Sequence, residues 1–166
     1  MRSLLFAFLV LFSLSAAAVS SAPAPFRGVV EEAGTFEVVG ARIDSAAPDT
    51  AAGKTSIVDE IRLIEAAHDP KAELGITFGF RYRLEGVPSG DIDELEMRAI
   101  HPVMKGLDGT TRDRSTAPEY AYGQSGGAYG FIVYTLSEPF EVVPGPWHIQ
   151  LLYKGRVVIS QEFILK

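Results

Sequence analysis

The stretch Leu74-Gly75-Ile76-Thr77-Phe78-Gly79-Phe80-Arg81-Tyr82-Arg83-Leu84-Glu85-Gly86 constrains the fold more than any other part of the chain. Ile76, Phe78, Phe80, Tyr82 and Leu84 alternate with Thr77, Gly79, Arg81, Arg83 and Glu85. Bulky apolar side chains at period two place one face of an extended strand on a core and the other in water. A helix would scatter the same residues around its circumference. The segment therefore predicts a half-buried strand. Gly86-Val87-Pro88-Ser89-Gly90 predicts a turn, after which Leu95, Met97 and Ala99 alternate with Glu94, Glu96 and Arg98. The two segments predict an antiparallel pair. In that pairing Arg81 and Arg83 lie near Glu94 and Glu96 on a solvated face, where cross-strand ion pairs contribute roughly a few tenths of a kcal/mol.

Farther along, Ala128-Tyr129-Gly130-Phe131-Ile132-Val133-Tyr134-Thr135-Leu136 is apolar at odd and even positions, the pattern of a central strand, and Glu138-Pro139 ends it. Trp147, Ile149, Leu151 and Tyr153 alternate with His148, Gln150 and Leu152, and Lys154-Gly155 turns the chain into a last strand, Arg156 to Leu165. Pro144-Gly145-Pro146 before Trp147 is incompatible with a helix. Ser45 to Thr55, rich in small and polar residues, predicts a loop after a strand at 36–43. Segment 55–67 admits two readings. One is a helix capped by Ser56 with Asp59 three residues on; the other is a loop entering a strand centred on Ile61-Arg62-Leu63-Ile64. Its β-branched content and the all-β context favour the strand. Strands separated by turns predict an all-β fold, an immunoglobulin-like antiparallel β-sandwich of about seven to eight strands.

Residues 75–86, Ile100-His101-Pro102-Val103-Met104, and the closing run from Pro144 to Phe163 resemble the bacterial domain-of-unknown-function family numbered 3859. The likeness extends from about Phe26 to the end of the chain. It implies an exported β-sandwich with no assigned activity, and it carries over no catalytic residue.

The N-terminus bears on compartment. Met1-Arg2, an apolar run from Leu4 to Leu14 and the small residues Ser15 to Ala22 have the order of a secretory signal peptide. The expected leader is 1–18, with cuts at 20 or 22 as alternatives; a Pro/Ala-rich spacer follows at 19–25 and one domain at 26–166. The apolar run is shorter than the about 20 residues of a spanning helix, so no stable membrane insertion is expected after cleavage. The expected localisation is exported, bacterial periplasm or extracellular. With no cysteine, the chain has neither disulfides nor a thiolate nucleophile nor Cys-type zinc sites, and no lipid attachment through cysteine. A net charge of −6 without a basic cluster argues against nucleic acid as a partner.

Three constellations invite a chemical reading. Gly123-Gln124-Ser125-Gly126-Gly127 spells a nucleophile elbow, but a strand rather than a helix follows Ser125, and only Glu138 and Glu141 stand between it and His148. A second ordering, His68 or His101, Asp108 or Asp113, then Ser125, needs a two-barrel fold larger than this chain. The histidines His68, His101 and His148, with Asp69 or Glu119 nearby in sequence or fold, are too scattered to predict a metal site. His101, before Pro102, is expected at a strand end and His148 at an exposed hairpin position. Tyr120, Tyr122 and Tyr129 flank the glycine-rich stretch and Trp147 opens the last hairpin; these four are the candidate ligand-binding residues. The competing expectation is that Trp147 and some tyrosines fill the core. The sequence points to an exported, non-enzymatic binding or interaction module with no cofactor, contacting an unknown protein, glycan or envelope component. The alternatives are a hydrolase using Ser125 and a periplasmic metal-binding protein using the histidines.

Overall fold

The computed structural model of the chain describes residues 26–166 apart from 88, 89, 107, 125 and 126, and for 41, 42, 91 and 93 only the backbone. The expected signal peptide, the 19–25 spacer and Ser125 lie outside the described residues. Eight antiparallel strands carry the fold: β1 (Arg27–Ala46), β2 (Lys54–Glu65), β3 (Thr77–Glu85), β4 (Gly90–Lys105), β5 (Thr111–Gln124), β6 (Gly127–Thr135), β7 (Gly145–Tyr153) and β8 (Arg156–Leu165). Among the described residues one short 3-10 turn, Pro139–Glu141, interrupts them.

The hydrogen-bonded order is β2-β1-β3-β6-β5-β4-β7-β8. Between β6 and β5, however, only Gly123↔Ala128 and Gln124↔Gly127 are paired. The ladder is thus two four-stranded sheets joined at a hairpin mouth, and their apolar faces meet. Phe78 of β3 packs edge-on against Trp147 of β7 at 5.4 Å and Phe163 of β8 at 5.3 Å between ring centroids. Phe78, Phe80, Tyr82 and Leu84, the inward series of the first strand read from sequence, are fully buried. At the other side of the sandwich Gly28 lets β1 approach β8: a Cβ there would lie 2.2 Å from Ile159 Cγ1.

The expected pairing of the 76–85 strand with 94–100 is corrected. β3 lies between β1 and β6, and β4 between β5 and β7. Period-two alternation says that each strand has one apolar face; it does not say whether two such faces lie side by side or oppose one another. Here the chain crosses between the sheets, so the faces oppose. Arg81 accordingly pairs with Glu32 (3.1 Å) and Arg83 with Glu31 (3.2 Å) of β1, while Glu96 pairs with Arg98 (3.1 Å) on its own strand.

Segment 55–67 is strand β2 through Glu65, and exposure shows why: Ile61 is 1% exposed but Ile57 59% and Ile64 68%, which no common helix face would give. The 128–136 strand is bonded to β3 along its length but to β5 only at its first residues, so it is not central in the expected sense. Its apolar outer positions remain half-buried. The expected loop after Ile43 is shorter than read: β1 and β2 continue as a two-stranded ribbon, bent at two register shifts, to a turn at 47–53. That turn is docked. Thr116 N–H donates to Asp49 O (3.0 Å), and Ala51 N–H donates to Ser115 Oγ (3.0 Å), with Ala47, Thr50 and Ala51 buried.

Candidate functional site

On β5 the inward side chains are Ser115, Ala117 and Glu119, and the outward ones include Thr116, Pro118, Tyr120 and Tyr122. The inward set is small, so this strand lacks the bulky alternation that marks β3 and β7. The outward tyrosines are 75% and 60% exposed, and Tyr129, on the facing prong of the β5–β6 fork, is 60% exposed. Tyr122 and Tyr129 follow directly on the Gly123↔Ala128 pair, one on each prong. Tyr120 and Tyr122, two positions apart on one strand, are about 6.6 Å apart along the sheet. A tyrosine with most of its ring in water leaves its apolar face unburied.

The same β5 face continues past Pro118 into an open groove of ≈ 440 Å³ lined by Asp49, Glu94, Glu96, Thr116, Pro118 and Lys154, among others. A bulge between Ile92 and Leu95 shapes its wall. Glu94 takes a left-handed backbone (φ 63°), a conformation unfavourable for a residue with a Cβ. The groove holds it there: Lys154 N–H donates to Glu94 O (3.0 Å) and Lys154 Nζ pairs with the Glu94 carboxylate (3.3 Å).

Behind the tyrosines, inside the fork, lie Glu119 and Tyr82. Burial pushes the Glu119 carboxyl up to about 7, against a lowering hydrogen bond from the Tyr120 backbone. Burial, then the neighbouring Glu119 charge, pushes the Tyr82 phenol well above its ordinary value. Among the described residues Tyr82 Oη is buried with no hydrogen-bond partner. It fits beneath β6 because residue 130 is glycine, where a Cβ would stand 2.5 Å from the hydroxyl.

The opposite end of the sandwich holds a different polar cluster. His101 Nδ1–H donates to Pro102 O (2.9 Å), which leaves Nε2 to accept from the Ser115 hydroxyl (3.2 Å). Burial holds the imidazole below its ordinary pKa, against the Pro102 hydrogen bond and the charges of Asp113 and Glu141. The buried Glu141 carboxylate accepts from Tyr134 O–H (2.7 Å), Ser137 N–H (2.8 Å), Ser137 O–H (3.0 Å) and Glu138 N–H (2.9 Å). A narrow cleft of ≈ 80 Å³ between the ribbon and β6 reaches Tyr134 and Glu141. Ser115 and His101 have the composition of a nucleophile and its base, but Ser115 is 0% exposed and a carbonyl, not a carboxylate, orients the ring.

Two sequence expectations change here. His101 is not at a strand end but within β4, 4% exposed and 5.1 Å from the Trp147 ring. Trp147 stands apart from the other candidate residues: it is 0% exposed, and its Nε1–H donates to Val143 O (3.2 Å). It is a core residue, because the period-two frame of β7 points it between the sheets. The histidines do not converge. His148 faces outward, 4.0 Å from the Glu162 carboxylate, and His68 meets the Glu162 carbonyl (3.4 Å). No group of three or more metal-ligating side chains forms among the described residues. The sequence reading missed the Glu94 groove and the Glu119–Tyr82 pair; the alternation of Ser115, Ala117 and Glu119 was the available signal.

A family model described as Domain of unknown function (DUF3859) matches residues 28–165. Comparison with curated proteins finds no match. Among solved structures, an immunoglobulin-like protein from Pseudomonas aeruginosa is similar, with 22% identity and a TM-score of 0.59, over 88% of this chain and 100% of that one. That likeness supports the immunoglobulin-like fold.

Proposed function

Since the chain belongs to the DUF3859 family, described as a domain of unknown function, we propose that it is an exported, non-enzymatic interaction module that makes contact through the β5–β6 fork. One observation carries the reading: Tyr120, Tyr122 and Tyr129 are 60–75% exposed on one end of a rigid sandwich. Rigid aromatic side chains on a fixed scaffold give large contact area at low entropic cost. The leader-like N-terminus supports export, and the lack of cysteine is compatible with any redox compartment.

The test is a photo-crosslinking residue at Gln124, exposed beside the tyrosines, in living cells. A discrete adduct that disappears when Tyr120, Tyr122 and Tyr129 are changed to serine supports the fork. Adducts identical with and without the tyrosines, or none, remove it as the contact surface.

A further inference from the structure

The strands at the two ends of the hydrogen-bonded order are finished differently. β8 is closed along its outer edge by the chain itself: Ile164 N–H donates to His68 O (2.7 Å) and Lys166 N–H to Pro70 O (3.0 Å). β2 pairs with β1 alone, and among the described residues its backbone from Thr55 to Glu60 has no partner on the other side. A bare edge is a template for another strand unless proline, a bulge or a cover blunts it. The stretch from Lys54 to Val58 has neither proline nor register shift. It exposes Ile57 (59%) directly opposite Ile43 of β1 (64%), and side chains so opposed share one face of the ribbon.

We propose that a second copy of this chain pairs there, β2 against β2, antiparallel about a two-fold axis at Ile57. Symmetry limits the registers. A two-fold axis normal to the sheet keeps outward faces together and passes through one residue of β2, so each position meets the one equally far beyond the axis. An axis at Asp59, Glu60 or Arg62 sets like charges directly against each other, and one at Val58 sets Lys54 against Arg62. An axis at Ser56 leaves Lys54 opposite Val58. An axis at Ile61 matches Glu60 with Arg62, but it centres on a side chain 1% exposed and sets Ile57 against Glu65. With the axis at Ile57 the terms agree. Each Lys54 faces Glu60 of the second copy, each Thr55 faces Asp59, and the two exposed Ile43–Ile57 pairs meet at the axis. Lys54 Nζ, 3.3 Å from Glu138 and partly exposed, then stands between two carboxylates. A strand from an unrelated protein would also find backbone partners on this edge, but the matched charges and the central isoleucine are properties of this sequence set against itself. Residues 54–60 on each side fall short of the about 20–30 residues of a standard interface, so the dimer is weak and forms in the micromolar range or above.

The experiment is sedimentation equilibrium of the purified protein from about 10 μM to about 1 mM, where a monomer–dimer equilibrium is expected. Ile57→Lys should raise the dissociation constant at least about tenfold, with the circular dichroism of the monomer unchanged. Glu60→Lys should raise it severalfold, and adding Lys54→Glu should bring it back. Because the chain has no cysteine, single cysteines report the register. Under mild oxidation Ile57→Cys should give a covalent dimer, whereas Ile64→Cys, at an equally exposed position (68%), should not. A monomer throughout the range overturns the proposal, as does a dimer indifferent to Ile57→Lys or one crosslinked through position 64 rather than 57.

Discussion

The two ends of β3 meet polar chemistry that is handled in opposite ways. Near Thr77, across from Thr135 of β6, the Glu141 carboxylate has four donors, and His101 and Ser115 bond each other and the backbone. Near Leu84, across from Ala128, about 23 Å away along the strand, Tyr82 Oη is unpartnered among the described residues, Glu119 is desolvated and three tyrosines stand in water. Both ends are built from Tyr, Glu and short strand turns. What separates them is the docked 47–53 turn, which covers the first and stops short of the second. Polar groups are hydrogen-bonded at the covered end, whereas the open one leaves a buried phenol oxygen without a partner among the described residues and three tyrosines exposed.

The largest effect that would break this contrast lies in the core. Trp147→Ala should cost about 3–5 kcal/mol in urea unfolding, since the indole touches Phe78, His101 and Tyr134. A loss near zero would mean that the covered end is not the anchor. Ser115→Ala strands Ala51 N–H and His101 Nε2 and should cost about 1–3 kcal/mol in the same measurement.

Glu119 carries the opposite sign. Its folded pKa, about 7, lies above its ordinary value of 4.5, so the folded state binds the proton more tightly. The stabilisation is complete below about pH 4.5 and is lost as pH rises through about 7. Glu119→Gln should therefore flatten the stability profile between those values and raise stability at pH 8 by about 1–3 kcal/mol. An unchanged profile would show that the carboxyl is solvated. Smallest of all, Tyr120→Ser, Tyr122→Ser and Tyr129→Ser should each shift unfolding by no more than about 0.5 kcal/mol. A larger loss would make the tyrosines structural and remove the contrast.

How much of this the sequence discloses depends on which side chains occupy the inward positions. β3 and β7 are legible because Phe78, Phe80, Tyr82, Trp147 and Ile149 are bulky and strictly alternate. The odd series Leu95, Met97 and Ala99 also runs on to His101, so the burial of that histidine was there to be read. β5 was not, since Ser115, Ala117 and Glu119 carry no strong hydropathy. Strand partners and the docking of the 47–53 turn depend on contacts remote in sequence, which periodicity within one segment does not encode. The candidate surface was legible only as composition: tyrosines beside glycine. Trp147 belonged with the core, and the groove past Pro118 needed the Glu94 bulge to appear.

The bond from Ala51 N–H to Ser115 Oγ spans 64 residues of chain. Its partner strand β5 is laid against β4, far downstream of the ribbon that carries Ala51. Its span is close to that of strand pairs such as Arg27↔Glu85, but unlike them it also needs β5 already laid against β4, so its loop entropy is rewarded only once both sheets stand. The turn at 47–53 is therefore expected to lock after the rate-limiting step of folding, so that weakening it accelerates unfolding and leaves the folding rate nearly untouched. The cover over the polar cluster is then a late-closing latch, and its strength sets how long the native molecule lasts rather than how quickly it forms.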